Sequence, residues 1–478
     1  GVLIMPGWCC CDMWERWAEW TPEHHEIAGA SLEDQIRRLR NHPSVFVWLY
    51  GSDNPPPPDV EQMYVRILDE QRWPNPSLSS ATEKPTSITG DSGVKMTGPY
   101  DYVPPNYWLV DKQLGGAWGF STETGPGPAI PPLESLKRFL PADHLWPLDE
   151  VWSYHAGGSR FATLDVFRKA MDARYGKPDS LPDFLRKSEA MAYEGQRAMF
   201  EAYARNKYVA TGVIQWMLNN AWPSLIWHLY DYYLVPAGGY FGTKKACEAV
   251  HVQYSYDDGS VAVINGREES LPGMKVTARV YDLEATEKAS REAVLDLPPD
   301  SSTRAFAIPR VEGSATTYFV RLQLRDAAGG LVSDNFYWLS SKRDVLDWAG
   351  TKGTAYTPQL TYGDLTGLNR LRRVELAVRS RVERDGQTER MRVTVENPGK
   401  GLAFMVRLRV TKGAGGEDVA PVFWEDNYFS LLPGEKREVA ATYDVSALDG
   451  TPAALGVDGW NIITQTLLKN LTSSTQSR

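Results

Sequence analysis

An α/β body of repeated βα units followed by two antiparallel β-sandwiches is the fold class that this 478-residue sequence predicts. Three observations carry it. Residues 1–252 alternate short apolar runs with helical stretches, the pattern of a parallel sheet or barrel. From about residue 255 the period changes to two, with turn signals between the runs, as in half-buried antiparallel sheets. The length, divided by about 150 residues per domain, leaves room for about three domains.

The elements follow in chain order. Strand-like runs lie at 2–5, 45–50, 86–89, 117–120 and 213–218. Ser31-Leu-Glu-Asp34 gives a capping signal, with Ile36 and Leu39 at helical spacing after it. Further helices are expected over 60–71 and 189–207. In the first sandwich Val261-Ala-Val-Ile264 reads as a strand. Met274, Val276, Ala278 and Val280 alternate with polar residues, as do Tyr318, Val320, Leu322 and Leu324. In the second, strands are expected at 374–378, 391–395, 406–410 and 422–424, with turns at Asn397-Pro-Gly399 and Pro433-Gly434. The stretch 343–370 reads as a linker. Residues 1–8 form an apolar run with no initiator Met, basic segment or cleavage site, which predicts a chain cut inside a fold, poorly stable and inactive when made alone.

Composition removes several classes. The formal net charge is −9, which offers no cationic excess for nucleic acid. No run of 18 apolar residues marks a membrane helix. Cys9, Cys10, Cys11 and Cys247 do not make a disulfide framework; the adjacent three read as a reduced cluster near a strand end. His24-His25-Glu26 lacks helical metal-ligand spacing and reads as a solvated loop. Neither a Gly-x-Ser-x-Gly elbow nor a phosphate-binding glycine loop is present. The abundance of aromatics, 17 Trp and 23 Tyr, suits either a thick core or a site for flat sugar rings.

Three segments carry chemistry. The apolar run 45–50 enters Gly51-Ser52-Asp53 and is stopped by four prolines. Loops at strand C-terminal ends build the active site of an α/β barrel, which would place Asp53 at the mouth; Asp also caps turns. Gly116-Ala-Trp-Gly-Phe-Ser-Thr-Glu-Thr-Gly-Pro-Gly127 delivers Glu123 in the same way, and a surface carboxylate at a strand end is its alternative. Two carboxylates presented alike, seventy positions apart, suit glycoside hydrolysis, in which one protonates the leaving oxygen and the other attacks or activates water. Val213-Ile-Gln-Trp-Met-Leu-Asn-Asn-Ala-Trp-Pro223 ends in amides and indoles. Trp216 and Trp222 either offer faces to a sugar or fill a core. Tyr100-Asp101-Tyr102 and Trp152-Ser-Tyr-His155 are further aromatic loops.

Taken jointly, these segments resemble glycoside hydrolase family 2, in its exo-β-D-glucosaminidase branch. That branch has Ser-Asp where most of the family has Asn-Glu at barrel strand four, matching Ser52-Asp53. Phe120-Ser-Thr-Glu-Thr124 resembles strand seven, Gln215 to Trp222 strand eight, and Met5-Pro-Gly-Trp8 with Cys10 and Trp14-Glu15 strand three. The resemblance implies an incomplete (β/α)8 TIM barrel, strands three to eight, over 1–252. It implies immunoglobulin-like sandwiches over 253–345 and 371–470, a linker at 346–370 and a disordered tail at 471–478. Asp53 is then the acid/base and Glu123 the nucleophile of a retaining exo-β-D-glucosaminidase acting on chitosan oligosaccharides. Trp8, Tyr102, Trp216, Asn220 and Trp222 would contact the sugar. No cofactor or metal is implied, nor nucleic acid or membrane; the partners are a β-linked carbohydrate and the family's own N-terminal domains. An extracellular or periplasmic location is expected. Cys9 stands where the branch places an acidic residue for the sugar's ammonium group; a thiol cannot replace a carboxylate there, though Asp12 is near in sequence. A β-mannosidase and a noncatalytic carbohydrate-binding protein are the competing readings.

Overall fold

A computed structural model describes residues 2–7, 13–156, 164–309 and 316–468. The chain divides into two compact units. The first comprises Gly1–Gly98, Lys112–Thr124 and Tyr208–Gln215; the second holds Pro99–Asp111, Gly125–Lys207 and Trp216–Arg478.

The first unit is built on short parallel strands. Ile4 bridges Val45, and Gly7 bridges Leu49, both parallel. Strand β1 (Trp48–Leu49) pairs with β2 (Ser77–Leu78), also parallel. Lys95 bridges Ser121 of β3 (Gly119–Thr124), and β3 pairs with β4 (Ala210–Gln215), again parallel. Two helices, α1 (Pro22–Leu39) and α2 (Pro58–Glu70), cover this layer. Ala28, Leu32 and Ile36 of α1 and Val60, Tyr64, Ile67 and Leu68 of α2 bury their side chains with Trp48 and Tyr50. Both helices carry Pro at the first turn, where a missing N–H costs nothing.

Several expectations need correction here. Helix α1 starts at Pro22, nine residues before Ser31, because Thr21 caps it: the Thr21 N–H donates to His24 Nδ1 at 3.0 Å. His24, His25 and Glu26 are therefore helical, not a loop. The expected strand at 86–89 is a turn closed by an antiparallel bridge between Thr86 and Gly90. The strand positions in that region belong to Ser77–Leu78 and to Lys95. Strand β4 stops at Gln215 rather than running on to residue 218.

The second unit opens with short helices α3 (Tyr107–Val110), α4 (Leu133–Leu136) and α5 (Glu150–His155), then α6 (Leu164–Tyr175), the 25-residue α7 (Leu181–Arg205) and α8 (Gly238–Ala246). Helix α8 lies against α7 through glycine: a Cβ at Gly242 would come within 2.3 Å of the Tyr193 carbonyl oxygen. Two antiparallel β-sandwiches follow. The first has strands β5 (Val250–Tyr254), β6 (Ser260–Asn265), β7 (Leu271–Tyr281), β8 (Glu287–Leu297), β9 (Ser301–Ala307), β10 (Thr317–Arg325) and β11 (Leu331–Ser340). Its sheets run β11-β10-β7-β8 and β5-β6-β9. Val252, Val263, Val276, Leu322 and Leu324 are fully buried in their shared core. The expected linker contains a small ladder of β12 (Val345–Leu346) and β13 (Gln359–Thr361).

The second sandwich has β14 (Ala377–Asp385), β15 (Thr388–Glu396), β16 (Ala403–Lys412), β17 (Phe423–Trp424), β18 (Phe429–Leu431), β19 (Lys436–Asp444), β20 (Ala453–Asp458) and β21 (Gln465–Leu468). Its sheets run β14-β15-β19-β17 and β18-β16-β20-β21. In β16 the alternation puts Val406, Leu408 and Val410 inside, while Arg407 and Arg409 form ion pairs with Glu134, Asp418 and Asp458. The tail at 471–478 lies outside the described residues.

Candidate active site

In the first unit, the chain leaves β1 through Tyr50-Gly51-Ser52-Asp53. Tyr50 is buried and its hydroxyl meets Ser77 Oγ at 2.6 Å. Only glycine fits at 51, because a Cβ would stand 2.3 Å from the Asn54 carbonyl oxygen. The Ser52 N–H donates to Glu15 Oε1. Asp53 itself is half-buried, with Ser52 Oγ at 3.4 Å from its Oδ1. Lys84 donates to the Asp53 carbonyl at 3.0 Å and to Asn54 Oδ1 at 2.6 Å, tying the loop down from outside. The prolines that follow lead directly into α2.

Glu123 sits near the end of β3, half-buried between two buried threonines. Thr122 Oγ1 donates to the carbonyl of Ala81 at 2.6 Å, and Thr124 Oγ1 to that of Gly98 at 2.7 Å. Alternation along a strand turns Glu123 to the face opposite these threonines. The loop before β3 is held by Lys95, only 2% exposed, which donates to the carbonyls of Leu114 and Gly116, each at 2.7 Å. Its ammonium also lies 3.9 Å from the Trp118 ring centroid.

Ala81 joins the two carboxylate-bearing ends. Its N–H donates to the Ser52 carbonyl at 3.2 Å, and its carbonyl accepts from Thr122 Oγ1. The residue before each carboxylate is thus fixed to opposite sides of one peptide segment. Glu15, Ala81, Lys84 and Lys95 were not singled out for roles by sequence reasoning. Glu15 and Lys84 reach the loop from 37 and 31 residues away, which no local pattern reveals.

The remaining expected residues fall in the second unit, apart from Trp8, which lies outside the described residues together with Cys9 and Asp12. Trp216 is half-buried, and the Met217 N–H donates to the Trp227 carbonyl. Trp222 is 42% exposed; its ring stacks on His155 with centroids 5.1 Å apart and meets Tyr154 edge-on at 5.5 Å. The Nδ1 of His155 donates to the Pro223 carbonyl at 2.8 Å. Asn220 is 5% exposed, and its Nδ2 donates to His228 Nδ1 at 2.7 Å. Burial pushes the His228 imidazole down to about 4, so its ring is neutral near pH 7. Tyr102 is 4% exposed and packs edge-on against Phe167, a core position rather than an open face. Burial raises its hydroxyl far above the usual phenol range.

Two family models match stretches of this chain. Residues 354–462 match the exo-β-D-glucosaminidase Ig-fold domain, and residues 258–344 the mannosidase Ig/CBM-like domain. The exo-β-D-glucosaminidase of Streptomyces avermitilis is 42% identical over 98% of this chain and 54% of its own length. That of Amycolatopsis orientalis is 41% identical over 98% and 47%.

Over nearly its whole length the chain is similar to exo-β-D-glucosaminidases of glycoside hydrolase family 2.

It spans about half the length of the curated relatives it matches. The crystal structure of the Amycolatopsis orientalis exo-chitosanase superposes with a TM-score of 0.93 at 39% identity, over 98% of this chain and 57% of that one. The same protein has been solved with PNP-β-D-glucosamine. A β-mannosidase from Dictyoglomus thermophilum shares the fold at 16% identity and a TM-score of 0.68. Among the described residues no group of His, Cys, Asp and Glu could hold a metal, and no helix is long and apolar enough to cross a membrane.

Proposed function

We propose that this chain carries the catalytic carboxylates of a retaining exo-β-D-glucosaminidase, with Glu123 as nucleophile and Asp53 as acid/base. The observation that carries the reading is the common anchor at Ala81, which fixes the residue before Asp53 and the residue before Glu123 to one segment. The parallel segments at 4–7, 45–49, 77–78, 95, 119–124 and 210–215 are, in this reading, strands three to eight of a (β/α)8 barrel. Their C-terminal ends supply the reacting groups. The margin between 42% identity to a glucosaminidase and 23% to a mannosylglycoprotein endo-β-mannosidase favours an amino sugar over mannose.

In the first step the Glu123 carboxylate attacks the anomeric carbon while protonated Asp53 gives its proton to the departing oxygen. In the second, the Asp53 carboxylate takes a proton from water, which attacks the same carbon and frees Glu123. The two carboxyls of such a pair stand about 5–5.5 Å apart. Asp is shorter than Glu, so its backbone must be held close to the scissile bond; the Gly51 turn and the grips of Glu15 and Lys84 supply that constraint. Trp216, Asn220 and Trp222 remain proposed sugar contacts.

The test uses the complete protein and a panel of aryl β-glycosides. The β-D-glucosaminide should be cleaved best, with retention of configuration. Glu123→Gln and Asp53→Asn should each lower turnover by about 10²–10⁴-fold with an unchanged melting temperature. Turnover near that of the parent in either variant removes its role. Binding of glucosamine oligomers with no cleavage of any glycoside would favour a binding protein instead.

A further inference from the structure

The second unit holds a small cavity of about 10 Å³ whose mostly apolar lining, Phe167 and Gly239 among it, is broken by Tyr102, Gln196 and His228. These three residues each carry a buried polar atom with no protein partner: Tyr102 Oη, Gln196 Oε1 and His228 Nε2. All three residues are under 5% exposed. A buried polar group left without a partner is costly, and such groups are few in protein interiors.

The chemistry of the three atoms is complementary to one molecule. An amide nitrogen only donates, so His228 Nδ1, 2.7 Å from Asn220 Nδ2, is an acceptor. In a neutral imidazole the hydrogen then sits on Nε2. Nε2–H is a donor, Gln196 Oε1 an acceptor, and the Tyr102 hydroxyl either. A water accepting from His228 and Tyr102 and donating to Gln196 satisfies all three. The cavity is about the size that one water needs, and two to four polar partners are what such a water requires.

We propose that Tyr102, Gln196 and His228 form a one-water site whose water fixes the His228 tautomer and, through it, the direction of the Asn220 amide. His228 and Gln196 are then positioning residues, and Tyr102, expected from the sequence to touch sugar, acts on Asn220 only through that water and His228. The chain of bonds runs from Gln196 on α7, through the water, to His228 and on to Asn220. With Nδ2 committed to His228, Asn220 keeps its carbonyl oxygen for other donors, and sugar hydroxyl and ammonium groups are donors. That last step rests on the proposed sugar contact of Asn220; the water site does not.

A crystal structure of the complete protein at high resolution tests the site directly. One ordered water should lie within about 2.7–3.2 Å of His228 Nε2, Gln196 Oε1 and Tyr102 Oη. No density there, or an Asn220 amide turned to present its oxygen to a protonated Nδ1, overturns the proposal. This arm stands whether or not the protein cleaves glycosides. A kinetic arm tests positioning. Gln196→Met leaves the Asn220–His228 contact but removes the acceptor. It should raise KM for the aryl β-D-glucosaminide about fivefold to tenfold while kcat changes much less. Gln196→Glu, which restores an acceptor oxygen, should recover most of that loss. Parent-like KM for Gln196→Met, or an equal fall in kcat without recovery by Gln196→Glu, overturns the positioning role.

Discussion

Gly51 and Glu15 show how single residues set the place of a carboxylate they do not touch. A methyl at position 51 would collide with the Asn54 carbonyl, a backbone atom that cannot swing aside. Gly51→Ala should therefore displace the Asp53 loop and lower turnover of the complete protein at least about tenfold; unchanged kinetics would mean that the turn relaxes freely. Glu15 accepts the Ser52 N–H. Glu15→Gln keeps an acceptor oxygen there, whereas Glu15→Leu leaves that N–H without its partner, at about 1–3 kcal/mol. Denaturant titration should separate the two variants in that order. At this scale the strand-end positions of Asp53 and Glu123 were legible, because an apolar run ending in a Gly- or Pro-rich loop announces a side chain delivered there. Their supports were not, since a backbone carbonyl such as that of Ala81 has no signature in the one-letter code.

Helices and strands were read well where burial is simple and poorly where polar groups are buried in pairs. Helix α7 was expected from 189 but starts at Leu181. Its first turns hide Asp183 and Lys187, which bond each other at 2.8 Å, and so they look like a solvated loop. Strand β2 is only two residues long, too short for any periodicity. The α7–α8 contact carries its own pH signal. The Glu189 carboxyl accepts from the Gly238 N–H at 2.6 Å, at the first turn of α8, and from the Tyr428 hydroxyl at 3.1 Å. Burial pushes it up to about 7 from an ordinary 4.5. A raised carboxyl pKa gives stability that is complete below the unfolded value and fades as pH climbs through the folded one. Melting temperature should therefore decline between about pH 4.5 and 7 by the Glu189 contribution, and Glu189→Gln should flatten that segment. The difference at pH 8 should favour Glu189→Gln by about 1–2 kcal/mol, given the side chain's partial exposure. An identical pH profile for both proteins would show that Glu189 ionises freely.

Across the second unit, buried ionic groups bind separate stretches of sequence. Arg174 of α6 pairs with Glu194 of α7 at 2.8 Å and with Asp344 beyond β11, and all three are buried or nearly so. Arg174→Met strands two carboxylates and should cost about 3–5 kcal/mol, measured by denaturant unfolding of the complete protein; a loss under about 1 kcal/mol would mean that water reaches the pair. A second knot joins α7 to the first sandwich: Glu201 receives Tyr337 Oη at 2.6 Å and Asn335 Nδ2 at 2.8 Å, and His251 lies 2.9 Å from the same oxygen. The onset of antiparallel strands near residue 250 was legible from the change of hydrophobic period there. These knots were not, because each joins residues about 20 to 170 positions apart that alternate with nothing nearby.

The path of the chain has a practical result. It passes between the two units after Gly98, Asp111, Thr124, Lys207 and Gln215. A protease that nicks any one surface loop therefore cannot liberate either unit as a single polypeptide, and an expression boundary placed at one position cannot isolate the segment that bears both Asp53 and Glu123 from the pieces interleaved with it.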